Sequence, residues 1–125
     1  MKQEFFNKAE ENLKIAQMSF ENECYNACAT RAYFSAFQAA IAALADKGCL
    51  AKGKNDHGYI QSEFSLQLIK RRKIYPAKLS NYLSTMQAER NKADYSEKNI
   101  GKKVAYRQLT QATEMIGLIE KEMNR

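Results

Sequence analysis

The sequence is poor in helix-breaking residues, with one proline and five glycines in 125 residues. No stretch of any length alternates strictly between apolar and polar residues, as a half-buried strand would, and no internal repeat is present. These absences argue against a sheet and indicate an all-α fold. A chain of this length is enough for one hydrophobic core and too short for two ordinary domains. We therefore expect a single helical domain over residues 1–125.

Long hydrophobic runs are also missing. The start of the chain, MKQEFFNKAEEN, has no apolar stretch of signal-peptide length, and the longest uncharged small-apolar run is AAIAALA at 39–45. A membrane span needs about 20 apolar residues. We therefore expect a cytoplasmic protein that has no contact with a membrane.

Metal-ligating residues are few. The three cysteines, Cys24, Cys28 and Cys49, are an odd number in a chain without a secretion signal, which argues against a disulfide framework. Together with His57, the only histidine, they could form a Cys3His zinc set, but their spacing matches no compact zinc motif. We expect reduced thiols, no metal and no cofactor.

Apolar residues recur at spacings of three and four, which predicts an up-and-down bundle of about five helices. The first helix ends near residue 22, and the second, rich in alanine and expected at the centre, runs from about 23 to 47. The third begins near His57 after a loop at 49–56, where Asn55 or Asp56 can act as the N-cap. The fourth spans about 77–91 and the fifth about 102–122.

Positive charge is concentrated in one segment. Residues 70–107 contain eleven Lys or Arg and three acids, a net charge of +8, whereas the rest of the chain carries about −2. Such a surface attracts phosphate backbones. The alternative is a solvated face in which the cluster KRRK at 70–73 simply ends a helix. Candidate phosphate-binding residues in this segment are Lys70, Arg71, Arg72 and Lys92.

Arg90 interrupts a buried stripe. Leu79, Leu83 and Met86 follow helical spacing, and the next step of four falls on Arg90. A buried guanidinium is costly unless it is paired. One interpretation is a structural ion pair with Asp94 at the end of the helix. The other is a phosphate site between helices, with Asn91 and Tyr95 beside it.

Two further sites are less specific. In RAYFSAF at 31–37, Tyr33, Phe34 and Phe37 are typical core aromatics, whereas Arg31 is polar and could face the same site as Arg90. His57 is either a helix-start residue or a group that handles protons. No P-loop, GxGxxG, HExxH or GxSxG pattern is present, so those nucleotide-binding, zinc-protease and esterase chemistries have no support.

Three stretches, CATRAYFSAFQAAIAALADKG, HGYIQSEF and ERNKADY, occur in the order and spacing of the HEPN family, the nucleotide-binding domain of higher eukaryotes and prokaryotes. The resemblance extends over nearly the whole chain. It is strongest to small stand-alone prokaryotic HEPN proteins, which are often encoded beside a minimal nucleotidyltransferase as a toxin–antitoxin pair. It implies a homodimer in which two arginine motifs meet.

Ribonuclease members of that family carry an arginine, a polar residue and then a histidine five to seven positions after the arginine. Arg90 and Asn91 match the first two, but positions 95–97 hold Tyr95, Ser96 and Glu97. The resemblance also suggests Tyr95 as an acceptor of nucleotidyl modification. A tyrosine of pKa about 10 is a poor substitute for the missing histidine as a general base.

Three hypotheses remain open. The first is a toxin-like RNA-binding protein with weakened or rewired metal-independent ribonuclease activity, in which Arg90 holds phosphate, Asn91 orients it and Asp94 or His57 handles protons. The second is a non-catalytic module that binds nucleotides or a nucleotidyltransferase. The third is a purely structural dimer.

Overall fold

The computed structural model describes residues 1–50 and 56–125. All regular structure in that part of the chain is helical. The elements are α1 (Lys2–Glu21), α2 (Tyr25–Asp46), α3 (His57–Glu63), a π-helical segment (Phe64–Arg71) that directly continues α3, α4 (Lys78–Tyr95) and α5 (Lys102–Met123). The predicted all-α bundle is confirmed. No described helix has the length and hydrophobicity needed to cross a bilayer.

The central helix is α2, as its composition predicted. Thirteen of its 22 residues are buried, most of them alanine, and it packs against every other helix of the described chain. Small side chains allow close helix approach, which is seen where the hydroxyl of Ser35 donates to the carbonyl of Ala9 on α1 at 2.8 Å. The other helices are therefore positioned relative to α2.

The direction of α3 decides where the only histidine lies. α2 ends at Asp46, yet α3 begins beside the middle of α2, where the His57 ring stacks on Phe37. At the other end of the same helical stretch, Arg72 donates to the carbonyl of Lys47, just past the end of α2. α3 therefore runs in the same direction as α2, whereas α1 and α4 run against it. The alternation of helix direction expected of an up-and-down bundle is therefore absent between α2 and α3.

Asp56 forms the predicted N-cap of α3. Its side chain accepts a hydrogen bond from the backbone N–H of Tyr59 at 2.9 Å. Asn55, the other candidate, lies outside the described residues, as does most of the predicted 49–56 loop. The π-helical segment that follows was not predicted. It ends where the N–H groups of Ile74 and Tyr75 both donate to the carbonyl of Leu68.

α4 buries Leu79, Leu83 and Met86, as the stripe predicted. The helix continues to Tyr95, four residues beyond its predicted end near 91. The predicted boundary was wrong because NKADYSEKNIG resembles a polar loop in composition, whereas the ion pair of Arg90 with Asp94, at a spacing of four, supports a helix.

A polar side chain joins three helices. Gln108 on α5 is 1% exposed, and its amide donates to the carbonyls of Ala29 on α2 and Met86 on α4, at 3.4 and 3.2 Å. Buried polar groups are costly unless they are hydrogen-bonded. Gln108 therefore fixes how α5 sits against both neighbours.

Candidate functional site

The side chain of Arg90 lies between α4 and α2. Its guanidinium carbon is 5.1 Å from the centre of the Phe34 ring on α2 and 5.5 Å from that of Tyr95. The side chain is 18% exposed, whereas Tyr95 is 76% exposed. Arginine favours this stacked position because its flat guanidinium is weakly hydrated. The cation predicted to lie at a helix seam is therefore held there by two aromatic rings.

Asp94 balances this charge. Its Oδ2 lies 3.0 Å from the Nε of Arg90, and its Oδ1 accepts a 2.7 Å hydrogen bond from the hydroxyl of Thr30 on α2. The buried Nε–H of Arg90 does not point at an acceptor, so the pairing with Asp94 is mainly electrostatic. The Nη1 of Arg90 donates to Oδ1 of Asn91 at 3.2 Å. The predicted pairing of Arg90 with Asp94 is thus present, and it is anchored to α2.

His57 lies beside the same aromatic group. Its ring stacks on Phe37, with centroids 4.2 Å apart, and meets Phe34 edge-on at 5.9 Å. Its Nδ1 is 2.5 Å from the hydroxyl of Tyr33. Phe34 therefore contacts both His57 and Arg90, which brings the histidine of α3 next to the arginine of α4 although they are far apart in sequence.

Burial and the positive charge of Arg90 lower the pKa of His57, and Asp56 opposes them weakly. The imidazole is therefore largely neutral at pH 7. Burial also raises the pKa of Tyr33 to about 12, so its hydroxyl keeps its proton and can either donate to Nδ1 or accept from it. Nε2 is the ring nitrogen left for a ligand.

A comparison with protein-family models matches the HEPN domain over residues 3–122. The chain belongs to the HEPN domain family. A search of curated proteins finds no match. The family assignment agrees with the resemblance in the sequence and with the helical bundle, and it is consistent with a function related to nucleotides or RNA.

The HEPN domain carries polar residues at this site that sequence reasoning missed. Gln61, one helical turn after His57, donates to the hydroxyl of Tyr33 at 3.2 Å and to Oε1 of Gln87 on α4 at 2.7 Å. Thr30, which holds Asp94, was also missed. The sequence shows only that each of these residues lies on a helix. Each makes its hydrogen bonds to a residue on another helix, so no motif within one helix identifies it.

Other predicted residues lie elsewhere on the HEPN domain. Arg31 donates to Asn12 on α1 at 3.3 Å, and Lys92 lies 3.7 Å from Glu89 on its own helix. Lys70, Arg71 and Arg72 are exposed at the end of the π-helical segment, where Arg72 contacts the end of α2. That end is about 20 Å along α2 from Phe34, at 1.5 Å per residue. The structure does not bring the basic cluster together with Arg90.

The cysteines are free thiols. Cys24 is exposed, Cys49 is partly buried and Cys28 is buried, which raises the pKa of the Cys28 thiol to about 11. Over residues 1–50 and 56–125, no three His, Cys, Asp or Glu side chains are grouped so that they could hold a metal ion.

Proposed function

We propose that this HEPN domain binds RNA with Arg90 on a backbone phosphate and cleaves it weakly without a metal ion, using His57 for the proton transfer. The observation that carries the proposal is the contact of both side chains with Phe34. In this proposal, His57 on α3 takes the role of the histidine that is absent from positions 95–97. Arginine and histidine are the two groups that metal-independent RNA cleavage requires.

The chemistry follows from the state of each group. His57 is neutral because the pKa of its ring is lowered, so Nε2 can take the proton of a 2′-hydroxyl while Tyr33 holds Nδ1. The 2′-oxygen bonds to phosphorus and the bond to the 5′-oxygen breaks. The imidazolium then returns the proton to the 5′-oxygen, and Arg90 stabilises the charge on the phosphorane oxygens.

Asp94 explains why the activity is expected to be weak. It already neutralises Arg90 at 3.0 Å and is held by Thr30, so a phosphate must compete with it. Asn91, which accepts from Arg90, would turn its amide towards the phosphate.

The test is an RNA cleavage assay in EDTA with a labelled single-stranded RNA. We expect Arg90→Ala and His57→Gln each to lower the rate by about 10²-fold or more. Arg107→Ala removes the same charge from α5 and serves as the matched control, with most activity retained. Thermal unfolding of each variant separates lost chemistry from lost folding. Cleavage that survives both substitutions would exclude this site.

The Arg90–Asp94 ion pair also favours a second function, a non-catalytic module for RNA, nucleotides or a nucleotidyltransferase. A neutralised arginine that stacks on Phe34 and Tyr95 can hold a partner without doing chemistry. In that case the purified protein binds RNA in a fluorescence anisotropy titration but does not cut it, and Arg90→Ala weakens the binding.

We infer that the domain works as a homodimer in a toxin–antitoxin pair, with the exposed ring of Tyr95 beside Arg90 as the residue that a nucleotidyltransferase modifies. Modification would add bulk and negative charge next to Arg90. Mass spectrometry after incubation with the adjacent gene product tests this, and Tyr95→Phe should abolish the added mass, whereas Tyr106→Phe, which removes another exposed tyrosine, should not.

A further inference from the structure

A polar pocket of about 400 Å³ lies between the π-helical segment and α4. Its lining includes Ser62, Ser65, Lys70, Ser80, Asn81 and Ser84, and we refer to it as the serine pocket. The volume is in the range of small-molecule sites. It lies apart from the contacts of Arg90, and nothing in the proposed function uses it.

The chemistry of the lining selects a class of ligand. The pocket is lined by four serine hydroxyls, the side-chain amides of Gln61 and Asn81 and the ammonium of Lys70, and none of the lining residues is acidic. By contrast, two cavities of comparable size elsewhere in the described chain each include an acidic residue, Glu23 in one and Glu89 in the other. The serine pocket therefore favours a ligand that is anionic and rich in hydroxyls.

Several of these groups have hydrogen-bonding capacity to spare. Ser80 donates to Ser65 at 3.0 Å, which leaves the hydrogen of Ser65 for a ligand. Ser62, Lys70 and the side-chain amide of Asn81 make no hydrogen bond or ion pair within the described chain. Glu63, the nearest acid in sequence, accepts from Gln67. Lys70 is thus a cation without a countercharge at the edge of the pocket.

The backbone around the pocket is unusual. Ser65 and Lys70 belong to the eight-residue π-helical segment Phe64–Arg71, and π-helical turns are rare and often occur at functional sites. Gln61 extends the pocket towards Tyr33, whose hydroxyl contacts His57. Two hydrogen bonds therefore connect the pocket to the histidine ring.

We propose that the serine pocket binds a phosphorylated sugar unit, with Lys70 on the phosphate and the serine and amide groups on the sugar hydroxyls. Such a unit can come from a free sugar phosphate or nucleotide, or from the backbone of an RNA strand. The proposal does not require RNA cleavage at Arg90.

The experiment titrates ribose 5-phosphate into the protein by calorimetry and follows backbone amides by NMR. We expect chemical shift changes at the amides of the four serines. Lys70→Ala should weaken binding about fivefold, which corresponds to the loss of one exposed ion pair. Ser84→Leu should abolish binding, because the larger side chain fills the pocket from an exposed position. Lys14→Ala removes the same charge from α1 and should bind like the wild type.

Three results would overturn the proposal. They are no amide shifts at the serines, unchanged affinity in Lys70→Ala, and an affinity for inorganic phosphate equal to that for ribose 5-phosphate. The last result would show that the sugar does not contribute to binding. If a single-stranded RNA competes with ribose 5-phosphate, the sugar phosphate unit comes from an RNA strand. If the RNA does not compete, the unit comes from a free ligand. Arg90→Ala should keep the binding of ribose 5-phosphate, so this proposal and the one for RNA cleavage can fail separately.

Discussion

The imidazole of His57 lies nearly parallel to the ring of Phe37, with an angle of 18° between the planes and 4.2 Å between the centroids. This stacking fixes the ring plane, and the hydroxyl of Tyr33 fixes one nitrogen. A histidine held in this way has one nitrogen available, and it shares the Phe34 ring with Arg90. Its titration therefore reports on the charge next to it.

Arg90→Gln should raise the pKa of His57. Burial lowers that pKa and the positive charge of Arg90 lowers it further, because a second cation nearby disfavours protonation. Removing the cation leaves burial and Asp56, which act in opposite directions. The ring protons of the only histidine can be followed by NMR from pH 4 to 8. Arg107→Gln is the charge-matched control, and an unchanged titration in Arg90→Gln would show that the two groups do not interact.

Asp94→Asn should strengthen the binding of a single-stranded RNA by about three- to tenfold. The substitution removes the carboxylate that lies 3.0 Å from Arg90 and leaves the guanidinium free for phosphate. Fluorescence anisotropy at a fixed salt concentration measures the change. Glu97→Gln alters the net charge equally on an exposed residue nearby, so an equal gain in that variant would point to general electrostatics rather than to release of Arg90.

Gln108→Ala should lower the free energy of unfolding by about 2–4 kcal/mol. It removes two hydrogen bonds that join three helices and leaves a cavity in a buried position. Urea denaturation measures the loss. Gln111→Ala, one turn further along α5 and partly exposed, should cost less than about 1 kcal/mol, and similar losses in both variants would argue against the bridging role.

Two glycine substitutions should have opposite signs. Gly48 ends α2 with φ at +68°, where a Cβ is strained, so Gly48→Ala should destabilise the fold by about 1 kcal/mol. Gly117 lies inside α5 with open space around it, so Gly117→Ala should stabilise by about 0.5–1 kcal/mol. Thermal unfolding of the two variants and the wild type under the same conditions tests both predictions. A stabilising effect of Gly48→Ala would contradict the assigned backbone conformation.

What depends on spacing within one helix could be predicted from the sequence. The stripe of α4 placed Arg90 against another helix, and the step of four identified Asp94 as its partner. The alanine content of α2 placed it at the centre of the bundle. In each case the information is local, because side chains three or four residues apart share a helix face.

What depends on packing between helices could not be predicted. His57 reaches Phe37 because α3 starts beside the middle of α2, and no spacing in the sequence encodes that start. Thr30 meets Asp94 across 64 residues for the same reason. The π-helical segment could not be predicted either, because the spacing of its apolar residues also fits an ordinary α-helix.

The burial of α2 has a consequence for how the sequence can vary over time. Alanines at 29, 32, 36, 39, 40, 42 and 43 have no exposed surface, so even one added methyl group at these positions pushes against a neighbouring helix. α1, which has only three buried residues, can accept many exchanges. Relatives of this chain should therefore vary more along α1 than along the alanine face of α2, whatever ligand they bind.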